Sequence, residues 1–248
     1  MKKLLTVFAL LGCAYSMNAQ HLEVGLKGGY GTTWLMNKNV FDQDEELDPT
    51  ASFAGQLGIN ATYFLNDKFG ICVELNSQTI KQKYSGDTNG DASGGNFDSE
   101  DKLKYINGPI LIKLQNEGGI YFEIGPQFNF LSSAKGSYDD EDSDINDVSD
   151  RDIKEGFNGT NIGLLFGFGV NINLTDNLII TTGLRLAAGF SDVTKEFSDS
   201  ELVKLSTDEK IGTATSYAHI DQTGDFSYEK TTLVSGSLML GLSYKFGN

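Results

Sequence analysis

The chain has 248 residues, 39% hydrophobic and 21% charged, with 19 Lys and Arg against 34 Asp and Glu. It is too apolar and too patterned for a disordered polymer. It is also too acidic for a nucleic-acid binder, whose phosphate contacts need a basic face.

Residues 1–19 read as a signal peptide, with Lys2 and Lys3 as its basic start, Leu4 to Leu11 as its apolar stretch and Ala19 at the cleavage edge. Leu10-Leu11-Gly12-Cys13 also resembles a lipobox, so lipidation at Cys13 stands as the rival to cleavage near Ala19. With Cys13 in the leader, Cys72 has no disulfide partner within the mature chain. No apolar run of helix-spanning length follows, which excludes a helical membrane protein but not a barrel. Residues 20–248 then form one domain.

From residue 22 onward a period of two recurs in eight segments. Leu22, Val24 and Leu26 alternate with Glu23, Gly25 and Lys27. Phe53, Leu57 and Ile59 alternate with Ala54, Gln56 and Asn60, and Ile71, Val73 and Leu75 oppose Cys72, Glu74 and Asn76. Ile106, Ile110 and Ile112 oppose Asn107 and Lys113, and Phe122, Ile124 and Phe128 oppose Glu123 and Gln127. Ile162 to Ile172, Ile180 to Leu186 and Val234 to Phe246 repeat the pattern. Each segment is long enough for a tilted bilayer crossing, and longer than soluble strands usually are.

The connections alternate too. Around Asn66-Asp67-Lys68, Asn116 to Gly119 and Thr175-Asp176-Asn177 they are tight; near 35–50, 85–101, 134–158 and 192–229 they are long. The predicted fold is therefore all-β: an eight-stranded antiparallel up-and-down transmembrane β-barrel with short periplasmic turns and long acidic extracellular loops. A soluble sandwich or lipocalin-like barrel is the structural rival.

The inward faces carry Glu23, Lys27, Glu74, Lys113, Glu123, Arg185 and Lys245, and the lipid faces almost no charge. Eight strands leave room only for side chains. Glu74, Lys113, Glu123 and Arg185 are thus expected to form lumen ion pairs that plug the barrel. In the loops, Asp87 and Asp91, then Asp139, Asp140, Asp142 and Asp144, are weak Ca²⁺ candidates, since clustered carboxylates suit a hard cation. None completes the twelve-residue calcium loop. No cofactor motif is present. His219, with Asp221 and Ser216 nearby, is the single candidate for a barrel hydrolase or acyltransferase; no enzyme is expected.

Leu103-Lys104-Tyr105-Ile106-Asn107-Gly108-Pro109-Ile110-Leu111-Ile112-Lys113 resembles one strand of the PorT-like outer-membrane β-barrel proteins of Bacteroidetes. Gly125-Pro126-Gln127 with Leu131-Ser132-Ser133-Ala134-Lys135, then Gly167-Phe168-Gly169, are similar to the strands that follow. The resemblance implies an outer-membrane barrel and no settled activity. One namesake serves type IX protein secretion. The expected role is structural or surface-interacting, with secretion or adhesion through the loops as the alternative. The expected partners are outer-membrane lipid or lipopolysaccharide and the barrel assembly machinery, with the protein a monomer.

Overall fold

The computed structural model describes residues 21–42, 47–87, 96–140 and 148–247, and at Asp87 and Asp140 the backbone alone. The leader and Cys13 lie outside these residues. The strands are β1 (His21–Met36), β2 (Asp48–Thr50), β3 (Ser52–Asn66), β4 (Phe69–Asp87), β5 (Asn96–Gln115), β6 (Ile120–Asp140), β7 (Val148–Asp152), β8 (Thr160–Asn173), β9 (Leu178–Gly189) and β10 (Thr232–Phe246). Eight of them close a ring in the order β1-β3-β4-β5-β6-β8-β9-β10, every pair antiparallel, with β10 returning to β1. Closure leaves these eight strands without a free edge, while β2 and β7 pair on one side only, with β4 and β6. The barrel expected from the alternation is the fold observed.

The three tight turns use side chains as local acceptors, as turn-forming Asn and Thr do. Asn66 Oδ1 accepts from the amides of Lys68 and Phe69, both at 2.9 Å. Asn116 Oδ1 accepts from Ile120 N at 3.0 Å, and Gly119 there adopts φ +83°, which favours glycine. Thr175 Oγ1 accepts from Leu178 N at 3.0 Å. These turns share one end with Leu22 and Phe246, a register pair.

Within the belt, the outward side chains are apolar and exposed in the isolated chain. Leu26, Leu57, Leu238 and Leu240 each expose more than 60% of their surface. No soluble protein sustains an apolar ring of that size. Lipid covers it.

Three strands overrun the expected loops. Residues 85–87, 96–101 and 134–140, read as connections, continue β4, β5 and β6. The alternation persists there with its chemistry inverted. On β5 the odd residues point inward throughout, but below Tyr105 they are Asn107 and Lys113, and above it Leu103 and Phe97. The even residues change from Ile106 and Ile110 to Lys104, Lys102 and Glu100. On β6 an extra residue at Ser132 shifts the register between Lys104/Ser133 and Tyr105/Leu131. Such a bulge re-aims the strand. Apolar-out alternation ends where the sign changes, so these strands are longer than their lipid-facing pattern.

Inside this projection lies an apolar core of Leu35, Ile80, Tyr84, Phe97, Leu103, Tyr105, Leu131, Ile153, Phe157, Val193, Ala214 and Leu233, with others. The last long connection, expected as a loop, folds onto it through α2 (Asp199–Thr207) and α3 (Thr213–Tyr217), while α1 (Lys38–Phe41) follows β1. Glu201 accepts from the Ser198 amide at 3.1 Å and hydroxyl at 2.6 Å, fixing the start of α2. This folded cap covers the long-loop end of the barrel.

Candidate functional site

The lumen holds a charge cluster at mid-height. Glu123 faces Gly167 across β6–β8, and Gly167 faces Arg185 across β8–β9, so the two charged residues flank one glycine in a single row. A Cβ at Gly167 would lie 2.5 Å from Glu123 Cγ. The absent side chain is the slot through which they meet. Arg185 donates from Nε to Glu123 at 2.6 Å, and from Nη1 and Nη2 to the two oxygens of Glu74, both at 2.7 Å. Its planar fork suits such bidentate binding. Lys27 donates to Glu74 at 2.8 Å and stands 3.9 Å from Glu123. Two cations therefore neutralise two anions drawn from β1, β4, β6 and β9. Asn76 donates to Glu74 at 3.2 Å and to Asn107 at 3.0 Å, extending the network.

Of the four residues expected in ion pairs, Glu74, Glu123 and Arg185 come together. Lys113 does not join them. Among the described residues it has no carboxylate within pairing distance; its ammonium lies 4.5 Å from the Tyr121 ring centroid and 5.8 Å from that of Phe64. Although Lys113 faces Glu123 across β5–β6, the Glu123 carboxylate turns to Arg185. Lys27 takes the place that sequence reasoning gave to Lys113. Its inward position was legible from alternation; its partner depends on lumen geometry. Cys72 packs in the wall with Leu111 and Leu165.

The cap is fastened by two buried ionisable groups. Asp101, 1% exposed on the inner face of β5, accepts from the Ala214 amide of α3 at 2.7 Å. Burial pushes its carboxyl up to about 6, against the opposing pull of the Ala214 and Thr213 amides. Thr213 adds a hydroxyl bond to Ser99 at 2.8 Å.

His219 is fully buried among Phe197, Phe226 and Tyr228. Its Nε2 accepts from the Phe197 amide at 2.9 Å, so Nδ1 carries the proton and donates to Thr215 O at 2.8 Å. Burial holds the imidazole below its ordinary pKa. The candidate constellation of His219, Asp221 and Ser216 is not assembled: both ring nitrogens serve backbone, and half-buried Asp221 caps a turn, accepting from Thr223 Oγ1 at 2.6 Å. The imidazole is a fastener of the last connection.

Among the described residues no group of His, Cys, Asp and Glu is arranged for a metal. Of the Ca²⁺ candidates, Asp139 is exposed on the outer face of β6. Asp87 and Asp140 contribute backbone only, and Asp91, Asp142 and Asp144 lie outside the described residues.

Residues 18–195 match the family described as outer membrane protein beta-barrel domain. No curated protein sequence matches the chain. Among solved structures, the chain is similar to the outer membrane protein OprG of Pseudomonas aeruginosa, at 14% identity over 93% of this chain and 97% of that one, TM-score 0.46. It is also similar to Neisserial surface protein A, at 15% identity over 91% and 97%, TM-score 0.41. A major outer membrane protein of Thermus thermophilus shares 15% identity over 92% and 100%, TM-score 0.42.

Proposed function

The chain belongs to the outer membrane protein beta-barrel domain family and is a protein of the cell outer membrane, and from that premise we propose that it is a closed, non-conducting barrel that acts at the cell surface through its folded cap. The observation carrying this reading is the Arg185–Glu74–Glu123–Lys27 cluster, which joins four strands across the lumen. An ion crossing the lumen must separate buried charges, those of Arg185 and Glu74 held by bidentate bonds. The cap core adds a second, apolar barrier above it. The role is structural or adhesive rather than catalytic. Secretion of other proteins is the narrower version, and it follows the PorT-like resemblance of residues 103–135.

The test is conductance. Purified protein in planar bilayers should give no stable open level, and opening should appear only when the cluster is dismantled by Arg185→Ala together with Glu123→Ala. A stable conductance from the unaltered chain would overturn the reading. Export by residues 1–19 belongs to the same proposal. N-terminal sequencing of membrane-extracted protein should begin at Gln20, and a lipid-blocked Cys13 would replace cleavage with anchoring. The barrel is assembled as a monomer by the machinery of its membrane.

A further inference from the structure

We propose that the outward face of β4, β5 and β6, just above the apolar belt, binds phosphate-bearing headgroups of lipids in the outer leaflet. The belt ends there at the row Ser77–Ile106–Phe130. The next row is Thr79–Lys104–Ser133, and the one beyond is Lys81–Lys102–Lys135. At about 3.3 Å per residue along tilted strands, these lysines stand roughly 5–10 Å beyond the last apolar residues. That is the depth of the headgroups. Their inward neighbours, Ile80, Gln82, Leu103 and Tyr105, are buried, so the lysine side chains point out.

Three lysines directly opposite one another on adjacent strands repel. A chain with 34 acidic residues could have neutralised them from within. It does so for one: Lys81 bonds Glu100 at 2.9 Å. Asp152 faces Lys135 from β7, but its carboxylate accepts from the Lys154 amide at 3.0 Å. Among the described residues the ammonium groups of Lys102, Lys104 and Lys135 make no hydrogen bond or ion pair, although the Lys104 carbonyl accepts from Ser132 Oγ at 2.8 Å. Lys154, whose ammonium donates to Ser132 O at 3.1 Å, adds a further cation at the bulge.

The opposite wall differs. There the outward rim carries Trp34, Met36, Phe53 and Phe190, and the cations beside it are engaged within the chain: Lys38 with Glu229 at 3.9 Å, and Lys230 with the Phe190 carbonyl. The basic patch is therefore local, and its apolar border fits an amphiphile with a phosphate above its acyl chains. Lysine stems lie along such chains while their ammonium groups reach the phosphates.

The test uses the full mature chain folded in neutral detergent micelles, with dioleoyl phosphatidic acid as the probe and native mass spectrometry as the readout. Heat-dependent gel mobility verifies the folding of each variant. The unaltered chain should retain phosphatidic acid in preference to phosphatidylcholine of the same chains. K102Q/K104Q/K135Q should weaken retention roughly tenfold or more, while K102R/K104R/K135R stays within about twofold. If the triple Gln variant does not fold, K104Q alone should cost roughly threefold. Millimolar inorganic phosphate should leave retention unchanged; displacement of the lipid by phosphate would assign the patch to a free anion and overturn the lipid reading. Equal retention by the Gln variant, or an equal loss in K38Q/K68Q/K204Q, which removes as much charge elsewhere, would overturn the site.

Discussion

Belt and cap are built from the same strands with opposite rules. In the belt β5 turns Ile106, Ile110 and Ile112 outward and Asn107 and Lys113 inward; in the cap it turns Leu103 and Phe97 inward and Lys104 and Lys102 outward. The backbone phase on β5 is unchanged across the transition. What changes is the solvent on the outside. Lipid rewards an apolar exterior and leaves the interior to paired charge, whereas water rewards the reverse. Strand geometry is thus indifferent to the environment, and side-chain chemistry alone records where the membrane ends.

The largest effect is expected in the lumen. Arg185→Met leaves Glu74 and Glu123 buried with one cation between them, and should destabilise the barrel by about 3–5 kcal/mol. Urea unfolding in micelles, followed by heat-dependent gel mobility, measures it. Restoring neutrality with Glu123→Gln should recover part of the loss, which an effect of packing alone would not.

The cap should yield separately. Ile80→Ala opens a cavity in the cap core and should cost about 2–5 kcal/mol locally. Hydrogen exchange is expected to rise at residues 190–231 while Ile162 to Ile172 in β8 stays protected. Uniform exchange throughout would mean that cap and belt are one cooperative unit.

The inversion predicts opposite tolerances. Leu240→Arg places a charge in mid-belt, where the cost is about 2–4 kcal/mol. Lys102→Leu on the outer face of the projection should change stability by no more than about 0.5 kcal/mol. Parallel urea titrations compare the two directly.

The effect confined to the smallest part of the molecule is a dependence of the cap on pH. The Asp101 carboxyl titrates at about 6 when covered, and near its usual 3.8 once the cap lifts. The covered state binds the proton more tightly. Its advantage is therefore complete below about pH 4 and is lost as pH rises through 6, a change of up to about 3 kcal/mol. Protease cleavage within residues 190–231 should accelerate from pH 5 to pH 7, and Asp101→Asn should flatten the profile.

All eight barrel strands were legible because lipid-facing alternation is strict from Ile162 to Ile172 and from Val234 to Phe246. The cap was not, since its inward residues are mainly apolar and its outward ones mainly polar or charged, the pattern of any soluble sheet. Glu74, Glu123 and Arg185 were legible as inward charges on a lipid-bound wall. That Lys27 joins them and Lys113 does not was hidden, because both are inward lysines. Which one reaches a carboxylate depends on the neighbouring turn of the barrel. His219 was misleading for a related reason. A histidine near Ser and Asp reads as chemistry in one dimension, and its two backbone partners, Thr215 O and the Phe197 amide, cannot be inferred from spacing.

The seam of the barrel runs through the cap. Leu35 on β1 and Leu233 on β10 are register partners, and both belong to the cap core. Asn37, just past β1, donates to Glu229 O at 2.6 Å and to Thr231 at 3.0 Å. The first and last strands are thus sewn together outside the membrane as well as within it. During biogenesis the cap core cannot be completed until the C-terminal strand has met the N-terminal one. A conformation-specific antibody against the cap would therefore report ring closure in living cells, and would ignore chains that have been exported but not yet joined.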